Sequence, residues 1–313
     1  MEFHHVPVLF EETINALAIR PDGIYVDGTL GGAGHSSAIA ARLTEGGRLI
    51  GIDRDGEAIE AATERLAPYA DRCTIVRGNF RDMPAILDDL SVGQVDGILL
   101  DLGVSSHQFD DGERGFSYRT DAPLDMRMDT RQSLTAADIV NTWSEKDLAW
   151  ILKTYGEERF AGRIASAIVR ARAEHPVKTT FELAELVKSA IPAAKRQTGG
   201  HPAKRSFQAI RIACNEELAA LEEVLDPAVK RLAPGGRMAV ITFHSLEDRI
   251  VKNHFRTAEN PCTCPPDFPV CMCGKKPYGK NVFRHPVTAA EGELEENPRA
   301  SSAKLRVIER LPD

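Results

Sequence analysis

A chain of 313 residues suffices for one large or two moderate domains, and 42% hydrophobic with 27% charged residues is an ordinary globular composition. No apolar run approaches the ~20 residues of a membrane helix. The N-terminus, MEFHHVPVLFEETINAL, lacks a basic segment followed by an apolar one, so no signal peptide is expected and the cytoplasm is the expected compartment. A net charge of −7 speaks at first against a nucleic-acid partner, yet residues 151–211 carry 12 Lys/Arg against 5 Glu and no Asp. That local excess fits a basic face or a solvated helical surface, and charge alone does not choose between them.

Strand and helix patterns alternate from the start of the chain. GIYVDGT (Gly23–Thr29) predicts a first strand, followed by a glycine-rich turn and a helix to about Leu43. GRLIGIDRD (Gly47–Asp55) and the helix Glu57–Leu66 come next, then the strand CTIVRGNF (Cys73–Phe80) and the helix Met83–Leu90. VDGILLDLG (Val95–Gly103) is an apolar run that predicts a fourth, buried strand. This spacing implies right-handed crossovers and an α/β fold, a parallel sheet with helices on both faces. The alternation then gives way to amphipathic helices over Ser144–Tyr155, Glu157–Glu174 and Thr180–Ile191. It resumes with a long helix Ser206–Arg231, a Pro-Gly-Gly turn at Pro234–Gly236, the strand Arg237–Phe243 and a last, edge-proximal strand Ser302–Arg310. The expected organisation is a core formed by residues 1–104 and 206–313, interrupted by a helical domain over 105–205 that holds most of the basic excess and is expected to recognise the substrate.

The chemistry is expected at the ends of the first four strands. In DGTLGGAGHS (Asp27–Ser36), Gly31, Gly32 and Gly34 can take positive φ and let a ligand approach the backbone, and the following helix presents free N–H groups. Asp53 closes the second strand, where an acid accepts hydrogen bonds from ribose hydroxyls. NAD and S-adenosylmethionine (SAM) both fit this far. Asp27 favours SAM, since a carboxylate there can meet an ammonium group and would repel a pyrophosphate. Phe80, after the third strand, can pack against adenine or simply belong to the core.

Six cysteines in a chain this long do not make a disulfide framework. Cys73 and Cys214 read as buried structural thiols. Cys262, Cys264, Cys271 and Cys273, within the Cys/Pro-rich segment 260–278, could be free thiols, a structural zinc site or redox partners, the spacing being tighter than the usual C-x₂-C knuckle.

Taken together the motifs resemble one family, the bacterial 16S rRNA (cytosine-N4) methyltransferases known as RsmH or MraW. The matching stretches are HVPVL (His5–Leu9), DGTLGGAGHS, GIDRD, DGILLDLGVSSHQFDDGERGFSY (Asp96–Tyr118), PLDMRMD (Pro123–Asp129), KTYGEERFAGRIA (Lys153–Ala165), HPAKRSFQAIRI (His201–Ile212), ITFHSLEDRIVK (Ile241–Lys252) and ENPRASSAKLRVIER (Glu296–Arg310). They run in order along nearly the whole chain. The resemblance implies a Rossmann-like SAM-dependent methyltransferase core with an inserted helical domain. It also implies N4-methylation of a decoding-centre cytidine, position 1402 in the usual rRNA numbering, within the small ribosomal subunit or its late assembly particle, by a monomer or homodimer. The family's SAM contacts fall on Ala33, Gly34, His35, Asp53, Phe80, Asp101 and Gln108.

Direct transfer to an exocyclic amine needs an acceptor for one N4–H and no covalent enzyme intermediate. Asp101, closing the fourth strand, is the expected acceptor. His244 and Ser245 are second choices for orienting the base, with a helix cap from Ser245 to Asp248 as the alternative. Phe109, Phe116 or Tyr118 could stack on the cytosine. Lys195, Arg196, Lys204, Arg205 and Arg211 are expected phosphate contacts. Methylation at C5 would need a cysteine nucleophile, and the clustered cysteines lie away from the loops that carry the site. The rival readings are another SAM enzyme acting on a protein or small molecule, a non-catalytic RNA-binding factor, and a nicotinamide oxidoreductase.

Overall fold

The structure, a computed structural model, describes residues 7–105, 112–196, 200–265 and 270–312. The run Val95–Asp101 forms strand β4, buried almost throughout, as a strand covered on both faces requires. Its parallel neighbours are β1 (Ile24–Asp27) and β5 (Leu232–Thr242), and β2 (Arg48–Asp53) and β3 (Cys73–Arg77) continue the parallel set beyond β1. β6 (Gly279–Asn281) and β7 (Lys304–Arg310) complete a mostly parallel sheet of order β3-β2-β1-β4-β5-β7-β6, in which β7 runs antiparallel to both neighbours. The strand order reverses between β1 and β4, the place where open α/β sheets leave a crevice at their carboxyl ends.

Pleating sends successive side chains to opposite faces, and the two cores follow from it. Val26, Ile50, Ile98 and Val240 meet helices α4 (Met83–Asp89), α10 (Glu217–Arg231) and α11 (Ser245–Glu259) through Leu87, Leu221, Val224 and Phe255. Tyr25, Leu49, Leu99 and Ile241 form the opposite core with α1 (Phe10–Ala16), α2 (Gly34–Ala40) and α3 (Gly56–Leu66) through Ile14, Ile39, Ala62 and Leu66. No helix among the described residues is long and apolar enough to cross a membrane.

The chain divides into two compact units, Met1–Gly103 with Leu218–Asp313, and Val104–Glu217. The second unit is helical: α5 (Ala136–Thr142), α6 (Glu145–Thr154), α7 (Ala161–Glu174), α8 (Thr180–Ala190) and α9 (Lys204–Asn215). Thr135 with Asp138 and Thr179 with Glu182 close capping boxes on α5 and α8, satisfying N–H groups that the helices cannot. Ile139, Leu148, Ile164, Leu183 and Phe207 supply its core.

Four local expectations change. The helix expected over Ser206–Arg231 is two helices, because Glu216 takes a left-handed φ of 50°. α9 therefore packs into the helical core through Phe207, Ala209 and Ile210, and the second unit boundary falls after Glu217 rather than at 205. The Pro-Gly-Gly sequence is a bulge inside β5, which pairs Val95 with Leu232 and then Gly97 with Arg237. Gly235 has φ +77°, and a Cβ on Gly236 would lie 2.9 Å from the Ala233 carbonyl oxygen. α7 begins at Ala161 rather than Glu157, which takes a left-handed φ of 49°. Cys214 is buried as expected, but Cys73 is only half-buried.

The break at Glu216 is held by Asn215. Its buried amide donates to the Met126 carbonyl at 2.7 Å and accepts from the Met128 N–H at 2.8 Å. Removing it takes a hydrogen bond from each of two buried backbone groups. Asn215→Ala is expected to lower stability by about 2–4 kcal/mol, read as a lower urea midpoint; an unchanged midpoint would show that the pin carries no load.

Candidate active site

Three strand ends bring acidic residues to the crevice. Asp27 ends β1 and is 2% exposed; its Oδ1 accepts from the Thr29 N–H at 3.1 Å and its Oδ2 from the Ser36 hydroxyl at 2.7 Å. Burial raises its pKa to about 6 despite these bonds. The Thr29 hydroxyl in turn accepts from the Asp101 N–H at 2.6 Å, tying the glycine turn to the end of β4. Asp53, ending β2, accepts from the Gly31 N–H at 2.8 Å and the Asp55 N–H at 2.9 Å. Burial raises its pKa as well. Each of its oxygens keeps a lone pair for a further donor.

Asp101 is the most perturbed of the three. Its side chain is 26% exposed, yet Oδ1 is buried without a hydrogen-bond partner. Burial, followed by the charges of Asp27 and Glu247, pushes its pKa up to about 8. Its Oδ2 lies 3.7 Å from Nδ1 of His35. Burial lowers the His35 pKa to about 4, so that imidazole is neutral at pH 7; it stacks on Phe10 at 5.8 Å between ring centroids.

The glycine turn works differently from its sequence reading. Gly31 alone of the three glycines takes a positive φ, 48°, while Ala33 at the N-cap of α2 is left-handed at φ 56°. Gly34 is helical and is required for space, since a Cβ there would come within 2.3 Å of the Pro7 ring. Around Gly32 there is open space on the side where a Cβ would point.

His244 and Glu247 supply what the sequence reading assigned to Ser245 and Asp248. His244 is the N-cap of α11: its Nδ1 accepts from the Glu247 N–H at 3.5 Å, while Glu247 Oε2 accepts from the Phe243 N–H at 2.8 Å. Ser245 is the first residue inside the helix, and Asp248 pairs instead with Arg306 at 2.7 Å and Lys304 at 3.2 Å. Glu247, 2% exposed, is the acid that the sequence reading missed. Its signal was present in HSLE, a capping residue with Glu three places on.

These side chains can receive a cation. Asp101 with an unpartnered oxygen, beside the charges of Asp27 and Glu247, is an arrangement that a positive ligand relieves. Over residues 2–311 the sequence matches the MraW methylase family. The chain belongs to the MraW methylase family. Among its relatives, a ribosomal RNA small subunit methyltransferase H from Lachnospira eligens is 61% identical over 99% of both chains. One of the same designation from Symbiobacterium thermophilum is 58% identical over 99% of this chain and 98% of its own. Among solved structures, an rRNA methylase from Streptococcus thermophilus aligns over 98% of this chain and 99% of its own, with a TM-score of 0.45 at 10% identity, too remote to add to the family match.

For a MraW methylase the remaining expected residues are placed as follows. Phe80 is buried in the core beside Val26, Ile50 and Met83. Asp27 is bonded within the glycine turn through both oxygens, and its Oδ2, with the one bond from Ser36, keeps a lone pair for a further donor. Gln108 and Phe109 lie outside the described residues. Phe116 is buried in the helical core, whereas Tyr118 stacks on His201 at 4.2 Å and 8°. Those two rings, with Arg119, Gly200 and Lys204, line a cavity of about 510 Å³ in the helical unit. Of the basic residues, Lys204 reaches this cavity. Arg205 is exposed, with one bond to the Glu157 carbonyl at 3.2 Å, and Lys195 lies in the short turn after α8. Arg196 donates to the Ile191 carbonyl at 2.8 Å, beyond the end of α8. Arg211 makes a bidentate pair with Glu217 at 2.9 and 3.0 Å and is committed to the fold.

A carboxyl whose folded pKa is raised is protonated in the native state where it is ionised in the unfolded one, so its contribution falls as pH rises toward 8. Asp101→Asn removes that loss. Relative to wild type, the variant is expected to gain on the order of 1–3 kcal/mol between pH 5 and pH 8 without ligand. Urea denaturation at the two pH values tests this; a constant difference would refute the raised pKa.

Proposed function

We propose that this chain transfers a methyl group from SAM to N4 of a cytidine in the decoding centre of 16S rRNA, position 1402 in the usual numbering, directly and without a covalent enzyme intermediate. The coarser reading, a SAM-dependent methyltransferase acting on small-subunit ribosomal RNA, rests on the family match and on the designation shared by its relatives. The observation that carries the finer reading is Asp101, an acid with a buried, unpartnered oxygen at the carboxyl end of β4.

Asp53 and the backbone of Gly31–Gly34 would hold the nucleoside part of SAM, and the edge of Phe80 the adenine. When bound, SAM supplies an electrophilic sulfonium methyl. A positive charge held in this site would favour the ionised form of Asp101, leaving its carboxylate as a hydrogen-bond acceptor. N4 of cytosine is a poor nucleophile because its lone pair is delocalised into the ring. By accepting one N4–H, Asp101 orients the amine, localises that pair and stabilises the positive charge that develops on nitrogen. The proton can leave after transfer, so strong basicity is not needed. Asp27 acts as a positioning residue, fixing Thr29 and, through it, the Asp101 backbone. Neutral His35 keeps the wall beside Asp101 uncharged.

The helical unit is suited to RNA. The Tyr118–His201 stack offers a flat aromatic surface with Arg119 and Lys204 beside it, the combination that holds an unstacked base and its phosphate. Lys195 and Arg205 are included in the proposed RNA face; Arg211, held bidentately by Glu217, is not.

Asp101→Asn is expected to leave folding and SAM binding measurable while lowering transfer to undermethylated small-subunit particles by about 10²-fold or more. Near-normal turnover would remove Asp101 from the chemistry, and mass mapping that places the methyl elsewhere in 16S rRNA would refute the assigned nucleotide. Replacing Arg119 and Lys204 together by Ala is expected to weaken RNA binding and reduce its log–log salt slope by roughly 1–2. An unchanged slope would exclude this cavity from the RNA face.

A further inference from the structure

Between α11 and β6, the segment Asn260–Tyr278 contains no buried residue among those described. Val270 and Met272 are 67% and 76% exposed. The ends of the segment are tied down: the Asn260 N–H donates to the Arg256 carbonyl at 2.8 Å and the Tyr278 N–H to the Ala258 carbonyl at 3.0 Å. The Tyr278 hydroxyl also donates to Asp226 at 2.6 Å. Between those anchors apolar burial holds none of the described residues. A stretch this small without a core needs a cross-link or a metal to keep one conformation.

Its four cysteines nevertheless converge. The Sγ atoms of Cys262, Cys264, Cys271 and Cys273 all lie within 4.8 Å of one another. Four of the separations are 3.5 Å (Cys262–Cys271), 3.9 Å (Cys264–Cys271), 3.4 Å (Cys271–Cys273) and 3.9 Å (Cys262–Cys273). A tetrahedral zinc with Zn–S bonds of about 2.3 Å sets its sulfurs about 3.8 Å apart. Two disulfides would instead give two separations of about 2.05 Å with the other sulfurs further off. Cys271, at close to equal distances from three partners, matches one ion shared by four ligands and not a pairing.

The surroundings suit thiolates. The Met272 N–H donates to the Cys264 sulfur at 3.2 Å, and the backbone N–H groups of Thr263 and Lys275 donate to that of Cys273. The Cys264 N–H does the same for Cys262. These donors, with Lys275 and Lys276 next in sequence, offset the double negative charge of an ion held by four thiolates.

We propose that Cys262, Cys264, Cys271 and Cys273 bind one structural Zn²⁺ that fastens the 260–278 segment onto the sheet unit. Four soft ligands in a closed tetrahedron admit zinc or iron. Methyl transfer moves no electrons through the protein, so the redox-inert ion is the one this site takes. The ligand count leaves no open position for substrate, so the ion acts on folding and not on the reaction.

The test uses the full chain, expressed without a polyhistidine tag and analysed for metal as purified. One zinc per chain is expected, with Co²⁺ replacement giving the thiolate charge-transfer and tetrahedral d–d bands of a four-sulfur site. Cys262→Ser combined with Cys273→Ser should lose the zinc, retain SAM binding and become cleavable by protease within 260–278. Cys73→Ser and Cys214→Ser should keep the zinc. Even if the double variant fails to fold, the metal content and cobalt spectrum of the wild-type chain decide the matter. Wild-type protein without bound metal, with its four cysteines rapidly alkylated or found as disulfides, would overturn the proposal. Iron in place of zinc would overturn the assignment of the ion.

Discussion

The site depends on carboxylates held close together out of water at the ends of parallel strands. Asp101 is raised by burial and then by the charges of Asp27 and Glu247, an arrangement that costs stability when nothing positive is nearby. A parallel sheet makes that crowding unavoidable, because β1 and β4 are adjacent and their last residues are both aspartates. The fold tolerates it by giving most of the acids a neutral or backbone partner. Ser36 and Thr29 serve Asp27, two amides serve Asp53, and the start of α11 serves Glu247. One oxygen of Asp101 has no such partner, and it is therefore the place where a ligand gains most by arriving.

The same hydrogen bonds carry mechanical information. Asp27 positions Thr29, and the Thr29 hydroxyl accepts from the Asp101 N–H, so the glycine turn and the proposed acceptor form one rigid assembly. Asp27 is bonded within the turn, to Thr29 and Ser36. Glu247 does comparable work on the other side of β4, capping a helix while adding its field to Asp101. Structural and chemical roles are not separable in such residues, since the charge that caps also perturbs.

The helical unit and the cysteine segment solve a different problem, holding chain in place with little or no sheet. The helical unit has its own apolar core and adds Asn215, which satisfies backbone groups around Met126 and Met128. None of the described residues of 260–278 is buried, and the proposed tetrathiolate ion would fix that segment instead.

Much was legible in the sequence because strands, helices and turns are written in local periodicities and breakers. The α/β alternation, the glycine turn and the acids closing β1, β2 and β4 all followed from spacing, and the family resemblance from motifs spread along the chain. What spacing could not convey is direction and partnership. Asp27 turns inward because Ser36, nine residues on in the first turn of α2, donates to it; Arg211 is removed from the surface by Glu217 six residues on. The helix break at Glu216 depends on carbonyls nearly ninety positions away, at Met126. β6 is three residues long and exists only because β7 gives it a pairing edge. The sequence alone determined which residue types reach the carboxyl ends of the strands, since that depends on where each local β-rich run stops. Only the tertiary structure decided which of them remain unpaired there, because hydrogen-bond partners come from register and packing between segments far apart in the chain.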